Sequence, residues 1–457
     1  MILKKIKSKG LAHLSYFIGS GSYAAVVDPR RDVEVYIDIA REEGMTIEHV
    51  FETHRNEDYI IGSRELQERT GCEVHHHEQT EWGYGSDVAE GDSFDLGQLR
   101  LDILHTPGHT FDSISVAVYD TDFSKEDAVG VFTGDALFIG DVGRTDFFPD
   151  QREHVAGLLY DSLFDKILPL GDQTILYPAH GAGSACGDNM AARAFSTLGY
   201  ERRHNSMLQK TDRDEFVQHK ASEFHHMPMY FERMHAANQE GPELLHDAVG
   251  ELPRPMKAPE VEQFRQDGGL VLDIRGAEAF GGAHIPGSLN ITLPMLSSYI
   301  GYQVGFDVPI APVTYNLAQF EEAWTQLQRI DYLKVEGWLE GGMEEWAINA
   351  LPFATIPQIF VEEINRRYDE DEEFLLLDVR KRGEAEKGML QGAQHIFVGE
   401  LADKLDEVRD TRPIVTFCGT GYRASNAASI LLRNGFDRVE NFLGSMKACK
   451  QAQCPLE

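Results

Sequence analysis

Thr53-His54-Arg55-Asn56-Glu57-Asp58-Tyr59 is the stretch that decides the fold. An apolar segment, His49-Val50-Phe51, leads into it, and a helical pattern from Tyr59 to Arg69 follows. This order predicts a strand, a loop and the start of a helix. Loops at strand ends carry the ligand and metal sites of many α/β proteins. We therefore interpret the stretch as a metal-binding loop.

The bulk composition predicts a folded, multidomain and acidic protein. The chain has 457 residues, and at about 150 residues per domain this length favours three domains. An apolar fraction of 42% indicates packed cores rather than disorder. The net charge of −33 argues against nucleic acid or an anionic membrane as a partner, because both require clustered Lys and Arg. Solubility or a saline habitat accounts for the acidity.

The cysteines and the N-terminus favour a cytoplasmic protein. Five scattered cysteines, an odd number, do not form a disulfide framework, which is typical of a reducing compartment. Cys449 and Cys454 have no evident partner and are interpreted as non-catalytic. We expect no cleavable signal peptide after the basic start, and no apolar run long enough to span a membrane.

The first 180 residues alternate strands with helices. Helices are predicted at 32–43, 59–69 and 152–166. The pattern predicts two sheets with outer helices. The predicted strands are 14–18, 24–27, 49–53, 99–105, 113–119, 128–133 and 174–177.

Three more loops carry residues of metal-ligand types. Thr106-Pro107-Gly108-His109-Thr110 follows a strand, and its Pro-Gly turn presents His109. Thr133-Gly134-Asp135 presents Asp135, and Pro178-Ala179-His180-Gly181 presents His180. With the His54 loop, these elements in this order resemble the metallo-β-lactamase superfamily over about 250 residues. The family loop reads His-x-His-x-Asp-His, whereas this chain has Asn56 and Tyr59 in place of two of the histidines.

The resemblance implies that His54, His109 and Asp135 bind one metal ion. Two histidines and one carboxylate with open coordination positions suit non-haem Fe(II) and O₂ chemistry. A two-zinc hydrolase would need the ligands that Asn56 and Tyr59 replace. Asp58 and His180 are interpreted as hydrogen-bonding partners of the ligands rather than as a second site.

The segment Gly140-Asp141-Val142-Gly143-Arg144-Thr145-Asp146-Phe147 resembles persulfide dioxygenases more than glyoxalase II thioesterases. Asp146 is a candidate to orient a ligand imidazole. Arg144 would hold that Asp, or a carboxylate of a thiol substrate. The alternative is a structural Arg–Asp pair that shapes the loop. Cys186 is either a sulfur acceptor near the metal or a small buried apolar residue.

The chain after the linker Leu252-Pro253-Arg254-Pro255 contains the same pattern twice. Leu270–Arg275 and Leu375–Arg380 are matching strands that end in Asp-x-Arg, and both units resemble rhodanese domains. In the first unit the nucleophile position reads Asn316-Leu317-Ala318, so this module is interpreted as catalytically silent, with a role in packing or docking.

The second unit contains a complete loop, Cys418-Gly419-Thr420-Gly421-Tyr422-Arg423-Ala424-Ser425. A strand precedes Cys418 and a helix is predicted from about Arg423. Backbone N–H groups and the helix dipole would stabilise a thiolate or Cys–S–S⁻ anion, and Arg423 adds a positive charge. The part of this loop from Cys418 to Arg423 has six residues, a size that suits a single sulfur atom. Related phosphatases use a longer loop to bind phosphate. We predict a sulfurtransferase site in which Cys418 is the nucleophile.

The whole chain resembles rhodanese-fused persulfide dioxygenases. The predicted architecture is α/β: a metallo-β-lactamase αββα sandwich with a helical extension (1–252), a silent rhodanese-like domain (253–354) and an active one (355–457). The resemblance implies one Fe(II) per chain and oxidation of a small thiol persulfide by O₂ to thiol and sulfite. Sulfite would accept sulfur from Cys418 to give thiosulfate. By analogy we expect a homodimer or higher homo-oligomer.

Two alternatives remain open from the sequence alone. One is a zinc-dependent thioester hydrolase of the glyoxalase II type fused to a sulfurtransferase. The other is a non-enzymatic sulfur carrier or sensor in which the metal site is a relic. Nothing in the sequence identifies the thiol that carries the persulfide.

Overall fold

The structure is a computed structural model that describes residues 1–184, 187, 190–250, 252–408 and 412–457. The chain forms two compact units. One consists of Met1–Val249 with Arg329–Asp331, and the other of Gly250–Gln328 and Tyr332–Glu457. Among the described residues, no helix combines the length and the apolar character needed to cross a bilayer.

The first unit contains two six-stranded sheets. In the first sheet the strands lie in chain order: β1 (Ile2–Lys7), β2 (Leu14–Ser20), β3 (Tyr23–Val27), β4 (Thr46–Phe51), β5 (Glu73–His77) and β6 (Ser86–Val88). The second sheet also follows chain order: β7 (Ser93–Leu96), β8 (Leu99–His105), β9 (Ile114–Asp120), β10 (Gly130–Gly134), β11 (Ile175–Pro178) and β12 (Ser196–Thr197). Strands β3 to β6 are parallel, as is the β10–β11 pair.

The main core of this unit lies between the two sheets. Tyr16 and Phe51 from the first sheet pack in one buried cluster with Leu101 and Val116 from the second. Separate apolar clusters join helices to the outer face of each sheet. This αββα layering confirms the predicted fold class. The helices are α1 (Glu34–Glu43), α2 (Ser63–Thr70), α3 (Arg152–Asp161), α4 (Leu198–His204), α5 (Arg213–Ser222), α6 (Tyr230–Glu240) and α7 (Leu245–Ala248).

The predicted helix from Tyr59 to Arg69 begins later than expected. Helix α2 starts at Ser63, and the preceding residues form a loop. Asn238 accounts for this difference. Its amide donates hydrogen bonds to the carbonyls of Asn56 and Tyr59 and accepts one from the Ile61 N–H. A tertiary contact therefore replaces the first turn of the helix.

The second unit contains two parallel five-stranded sheets. The first has the order β13 (Pro255–Met256), β17 (Trp338–Leu339), β16 (Ile310–Val313), β14 (Leu270–Asp273) and β15 (Leu289–Asn290). The second has the order β18 (Gln358–Ile359), β22 (Val439–Phe442), β21 (Ile414–Phe417), β19 (Leu375–Asp378) and β20 (Gln394–His395). The two modules therefore share one strand order, as the internal repeat predicts.

Helices of the two modules follow corresponding strands. The first module contains α8 (Ala258–Gln266), α9 (Ala277–Gly282), α10 (Leu296–Tyr299), α11 (Leu317–Arg329) and α12 (Gly342–Ile348). The second contains α13 (Val361–Asp369), α14 (Arg382–Ala385), α15 (Leu405–Val408), α16 (Tyr422–Arg433) and α17 (Ser445–Ala452).

The repeated Asp-x-Arg elements have the same structural role in both modules. Arg275 forms a bidentate pair with Asp273 and donates to the Ala283 carbonyl. Arg380 pairs with Asp378 in the same way and donates to the Gly388 carbonyl. Each buried pair therefore ties a central strand to the loop that follows it.

Cys449 and Cys454 form a disulfide, so the expectation that they have no partner is wrong. Helix α17 ends at Ala452, and Gln453 adopts a left-handed backbone conformation with φ of 55°. This turn brings the two Cα atoms to 5.0 Å, which is within the range that a disulfide spans. The sequence shows the spacing of the two cysteines but not the reversal of the chain between them.

Candidate metal centre and cysteine loop

Three side chains that follow three different strands converge at one buried point. His54 follows β4, His109 follows β8 and Asp135 follows β10. Asp135 Oδ2 lies 3.5 Å from His109 Nε2 and 3.9 Å from His54 Nε2. The two imidazole rings are edge to face, with centroids 5.0 Å apart. The structure thus brings the three residues singled out from the sequence into one cluster, in which each could offer one ligand atom.

Hydrogen bonds on the far side of each ring set the tautomer. Thr53 Oγ1 donates to Asp28 Oδ2, so it accepts from His54 Nδ1, which lies 2.9 Å away. His109 Nδ1 lies 3.1 Å from the Arg144 carbonyl oxygen, which can only accept. Each Nδ1 therefore carries the proton, and each Nε2 presents its lone pair to Asp135.

The three facing atoms form a group that could hold a cation. His54 Nε2, His109 Nε2 and Asp135 Oδ2 are all buried and have no hydrogen-bond partner. Buried polar atoms without partners are costly, and three of them facing one another is the arrangement expected of metal ligands. Two neutral imidazoles and a carboxylate also form the facial donor set of non-haem iron. The residues present therefore fit a metal ion.

Glu57 lies beside this cluster and was not singled out from the sequence. Its Oε1 is 3.2 Å from His109 Nε2, and its Oε2 is 3.8 Å from His54 Nε2. Burial alone would raise the pKa of Glu57, but His109 and His54 lower it well below its usual range. An anionic carboxylate therefore adjoins the candidate ligands. The sequence feature that could have indicated Glu57 is its position directly before Asp58, as a second acidic residue in the same loop.

His180 and Asp58 lie outside the ligand triangle and support Asp135. His180 Nδ1 donates to Asp135 Oδ1 over 2.7 Å, and His180 Nε2 is 3.0 Å from Asp58 Oδ2. Burial raises the pKa of Asp58. This Asp–His–Asp chain leaves Oδ2 of Asp135 to face the two imidazoles. His180 therefore has the hydrogen-bonding role that we predicted, and its Nε2 faces the Asp58 carboxylate.

Asn56 and Tyr59 do not complete a second metal position. Asn56 donates its amide to the His54 carbonyl, which braces the loop. Tyr59 is fully buried, with its ring 4.1 Å from that of His13. Burial raises the pKa of Tyr59 well above its usual range, which favours the neutral phenol.

Arg144 and Asp146 form a buried structural pair. Arg144 Nε and Nη2 donate to the two oxygens of Asp146 at 2.6 and 2.9 Å, and the His225 N–H donates to the same carboxylate. The predicted role of Asp146 in orienting a ligand imidazole is wrong, because the Arg144 backbone carbonyl holds His109 instead. The buried guanidinium contacts the carboxylate of Asp146. Cys186 lies outside the described residues.

We expect Asp146→Asn to destabilise the first unit by about 3 kcal/mol, because it leaves a buried guanidinium without its counter-charge. Burial alone would raise the pKa of Asp146, but its pair with Arg144 lowers that pKa and keeps the carboxyl charged. The substitution therefore removes a negative charge. Thermal or urea unfolding would measure this effect. The exposed Asp150→Asn is the matched control. Unfolding equal to the wild type would refute the structural role.

The second candidate site is the loop after β21. Cys418 is buried, and its Sγ accepts a hydrogen bond from the Gly421 N–H over 3.1 Å. Helix α16 begins at Tyr422, directly after this loop. Gly421 has φ of 112°, a conformation that side chains disfavour, and a Cβ there would lie 3.2 Å from Leu443. The sulfur therefore sits at a helix N-terminus with a backbone donor aimed at it.

Arg423 is held by a residue that sequence reasoning missed. Its guanidinium forms a bidentate ion pair with Glu384 of α14, with a distance of 2.8 Å to Oε1. Burial alone would raise the pKa of Glu384, but Arg423 lowers it. Arg423 still interacts with Cys418, although its direct partner is a carboxylate rather than the sulfur. The sequence feature that could have indicated Glu384 is its position as an acidic residue in the short helix that follows Asp378-x-Arg380.

The silent module packs against the catalytic helix of the active one. Asn290 of β15 accepts a hydrogen bond from Ser425, and Gln303 exchanges hydrogen bonds with Asn426. Tyr299, at the end of α10, accepts a hydrogen bond from the Arg423 side chain. The Cys418 site is therefore bordered by residues of both modules, which gives the predicted packing role a specific location.

Matches to family models divide the chain in the same order. A metallo-beta-lactamase superfamily model matches residues 9–180, and a rhodanese-like domain model matches residues 257–349 and 360–452. The crystal structure of a metallo-beta-lactamase from Staphylococcus aureus aligns with a TM-score of 0.66 and 30% identity, covering 74% of this chain and 98% of that one. The chain belongs to the metallo-beta-lactamase superfamily.

Two curated relatives each match less than half of this superfamily member. Hydroxyacylglutathione hydrolase GloC of Haemophilus influenzae is 27% identical over 207 residues, which is 40% of this chain and 87% of the relative. Putative sulfur carrier protein YrkF of Bacillus subtilis is 32% identical over 133 residues, which is 28% of this chain and 70% of the relative.

Proposed function

We propose that this protein is an iron-dependent persulfide dioxygenase coupled to sulfur transfer at Cys418. The observation that carries the proposal is the buried set of three facing atoms from His54, His109 and Asp135. This donor set leaves coordination positions open for a sulfur substrate and O₂. Bound Fe(II) would supply the redox chemistry that allows O₂ to react with the persulfide.

The chain's own residues would orient and insulate the site. Thr53 and the Arg144 carbonyl hold the two rings, and His180 fixes the Asp135 carboxylate. The overall reaction is R–S–SH + O₂ + H₂O giving R–SH, sulfite and two protons. Glu57 lies within reach of the ligand atoms and adds a negative charge beside them.

Cys418 would carry a single sulfur atom. The thiolate attacks the outer sulfur of R–S–SH, forming Cys418–S–S⁻ and releasing R–SH. Sulfite then attacks the outer sulfur and the S–S bond breaks, giving thiosulfate and the Cys418 thiolate. The Gly421 N–H and the helix N-terminus stabilise the anion in both states.

The hydrolase alternative is supported by the similarity to GloC and would need a metal-bound hydroxide, usually between two metals. Asn56 and the neutral Tyr59 are poor replacements for the missing ligands, which favours the oxidative reaction. The carrier alternative is supported by the similarity to YrkF and predicts sulfur loading without O₂ uptake. We further propose a small thiol persulfide, O₂ and sulfite as partners, a cytoplasmic location and a homo-oligomeric state.

One experiment separates these functions. Iron-loaded protein would be given a defined small-thiol persulfide in an oxygen-electrode cell, and sulfite and thiosulfate would be quantified. We expect persulfide-dependent O₂ uptake, with thiosulfate appearing when persulfide is in excess. Thioester hydrolysis by a zinc-loaded sample without O₂ uptake would favour the hydrolase. Sulfur loading of Cys418 without O₂ uptake would favour the carrier.

The hydrogen bond between Tyr299 and Arg423 leads to a testable role for the silent module. Tyr299→Phe removes one hydrogen bond, worth ~1 kcal/mol, so kcat/KM for sulfur transfer from thiosulfate to cyanide should fall about threefold to tenfold. The free energy of unfolding should fall by no more than about 1 kcal/mol, so the variant stays folded in the assay. Tyr315→Phe, an exposed tyrosine of the same module, is the control. Equal kinetics in the two variants would show that Tyr299 does not position Arg423.

A further inference from the structure

A second group of metal-ligand residues lies on parallel strands β4 and β5. In this sheet His49 pairs with Glu73, and Phe51 pairs with His75. Because alternate residues of a strand share a face, His49, Glu73 and His75 project on the same side. This group shares no residue with the candidate metal centre, and the two sets form separate groups of facing ligand atoms.

The three side chains have the spacing of metal ligands. His49 Nδ1 lies 3.0 Å from His75 Nε2, and each of these atoms lies 3.9 Å from Glu73 Oε2. The point equidistant from three atoms at these separations is about 2.1 Å from each, which matches typical Zn–N and Zn–O distances. The group could offer one ligand atom from each residue to a single ion.

The surroundings hold the imidazoles in place. The His75 ring stacks on Phe51 with centroids 5.1 Å apart and lies 4.6 Å from Phe94, while His49 contacts Phe94 edge to face. These ring contacts restrain both imidazoles, and a metal site needs ligands that are held rigidly.

A cleft opens onto two of these three residues. Glu73 and His75 line a cavity of about 320 Å³, together with Asp87 and Asp92. The Glu73 side chain is 70% exposed, so one ligand lies at the mouth of the cleft. Acidic groups around the cleft raise the local concentration of cations.

We propose that His49, Glu73 and His75 form a second metal site for a divalent transition ion of the zinc type. Three protein ligands leave room on the ion for water or another donor. The competing explanation is a hydrogen bond between two neutral imidazoles, which accounts for the 3.0 Å distance without a metal. That explanation assigns no role to Glu73, so the carboxylate distinguishes the two.

Zinc titration of the iron-loaded protein tests the proposal. Equilibrium dialysis with Zn²⁺, followed by elemental analysis of zinc and iron, should show one zinc per chain in addition to the iron. Glu73→Gln, at an exposed position, should weaken that zinc at least tenfold, and His75→Phe should abolish it. Glu48→Gln, which removes a charge beside His49 without removing a ligand, should bind zinc as the wild type does.

Two results would overturn the proposal: no zinc beyond the iron site, or a zinc equivalent that survives Glu73→Gln unchanged. Repeating the titration in Asp135→Asn measures zinc bound at the second site when the candidate iron site has lost a ligand. The outcome therefore does not depend on the proposed dioxygenase activity. The result also affects how the total metal content of the protein is interpreted. Two metals per chain would indicate a dinuclear hydrolase only if both metals still bind in Glu73→Gln.

Discussion

Asp135→Asn is expected to remove bound iron and persulfide-dependent O₂ uptake together. The amide keeps the size of the carboxylate and still accepts from His180 Nδ1, but it loses the negative charge that faces both imidazoles. Loss of a direct ligand should exceed the 10- to 100-fold cost typical of changes in residues that only support ligands, so we expect at least about a 100-fold fall in iron affinity and in O₂ uptake. Iron content after desalting and oxygen-electrode rates would measure both.

The controls for Asp135→Asn separate ligand loss from unfolding. Asp95→Asn changes an exposed carboxylate of the same unit and should bind iron normally. Asp58→Asn should give an intermediate loss, because Asp58 contacts His180, which in turn donates to Asp135. Sulfur transfer at Cys418 should remain in every variant. Normal iron content and O₂ uptake in Asp135→Asn would show that the three facing atoms are not the metal site.

Cys418→Ser is expected to abolish the conversion of sulfite to thiosulfate while leaving O₂ uptake within about twofold of the wild type. A serine hydroxyl cannot form the S–S bond that the transfer requires, so thiosulfate should fall by about 1,000-fold or more, to background. Sulfite should then accumulate in proportion to the O₂ consumed. Mass spectrometry of the wild type after persulfide treatment should show one added sulfur atom on Cys418 that is absent from the variant.

Cys72→Ser is the matched control, because Cys72 is the other free cysteine among the described residues and lies in the first unit. It should leave both thiosulfate formation and O₂ uptake unchanged. Loss of O₂ uptake in Cys418→Ser would contradict the division of labour between iron and thiol. Thiosulfate formation at the wild-type rate in that variant would show that sulfur does not pass through this loop.

Local patterns were enough to predict the strands and the loops that end them. His54, His109 and Asp135 each follow a strand, and parallel or neighbouring strand ends meet at one edge, so their convergence could be expected. The Cys418 loop was also readable, because a strand, a cysteine, two glycines and a helix start are contiguous in the chain. Helix starts were less predictable: Asn238, far along the chain, replaces the first turn before Ser63.

The sequence by itself determined the α/β class, the repeated modules and the positions of the ligand-type residues, because these depend on local periodicity and short contiguous motifs. Only the tertiary structure decided which neighbouring groups interact with those residues and fix their orientation. The Arg144 carbonyl rather than Asp146 supports His109, Glu384 and Tyr299 hold Arg423, and a reversal of the chain joins Cys449 to Cys454. Hydrogen-bond partners depend on side-chain direction and on the packing of distant segments, which no local pattern records.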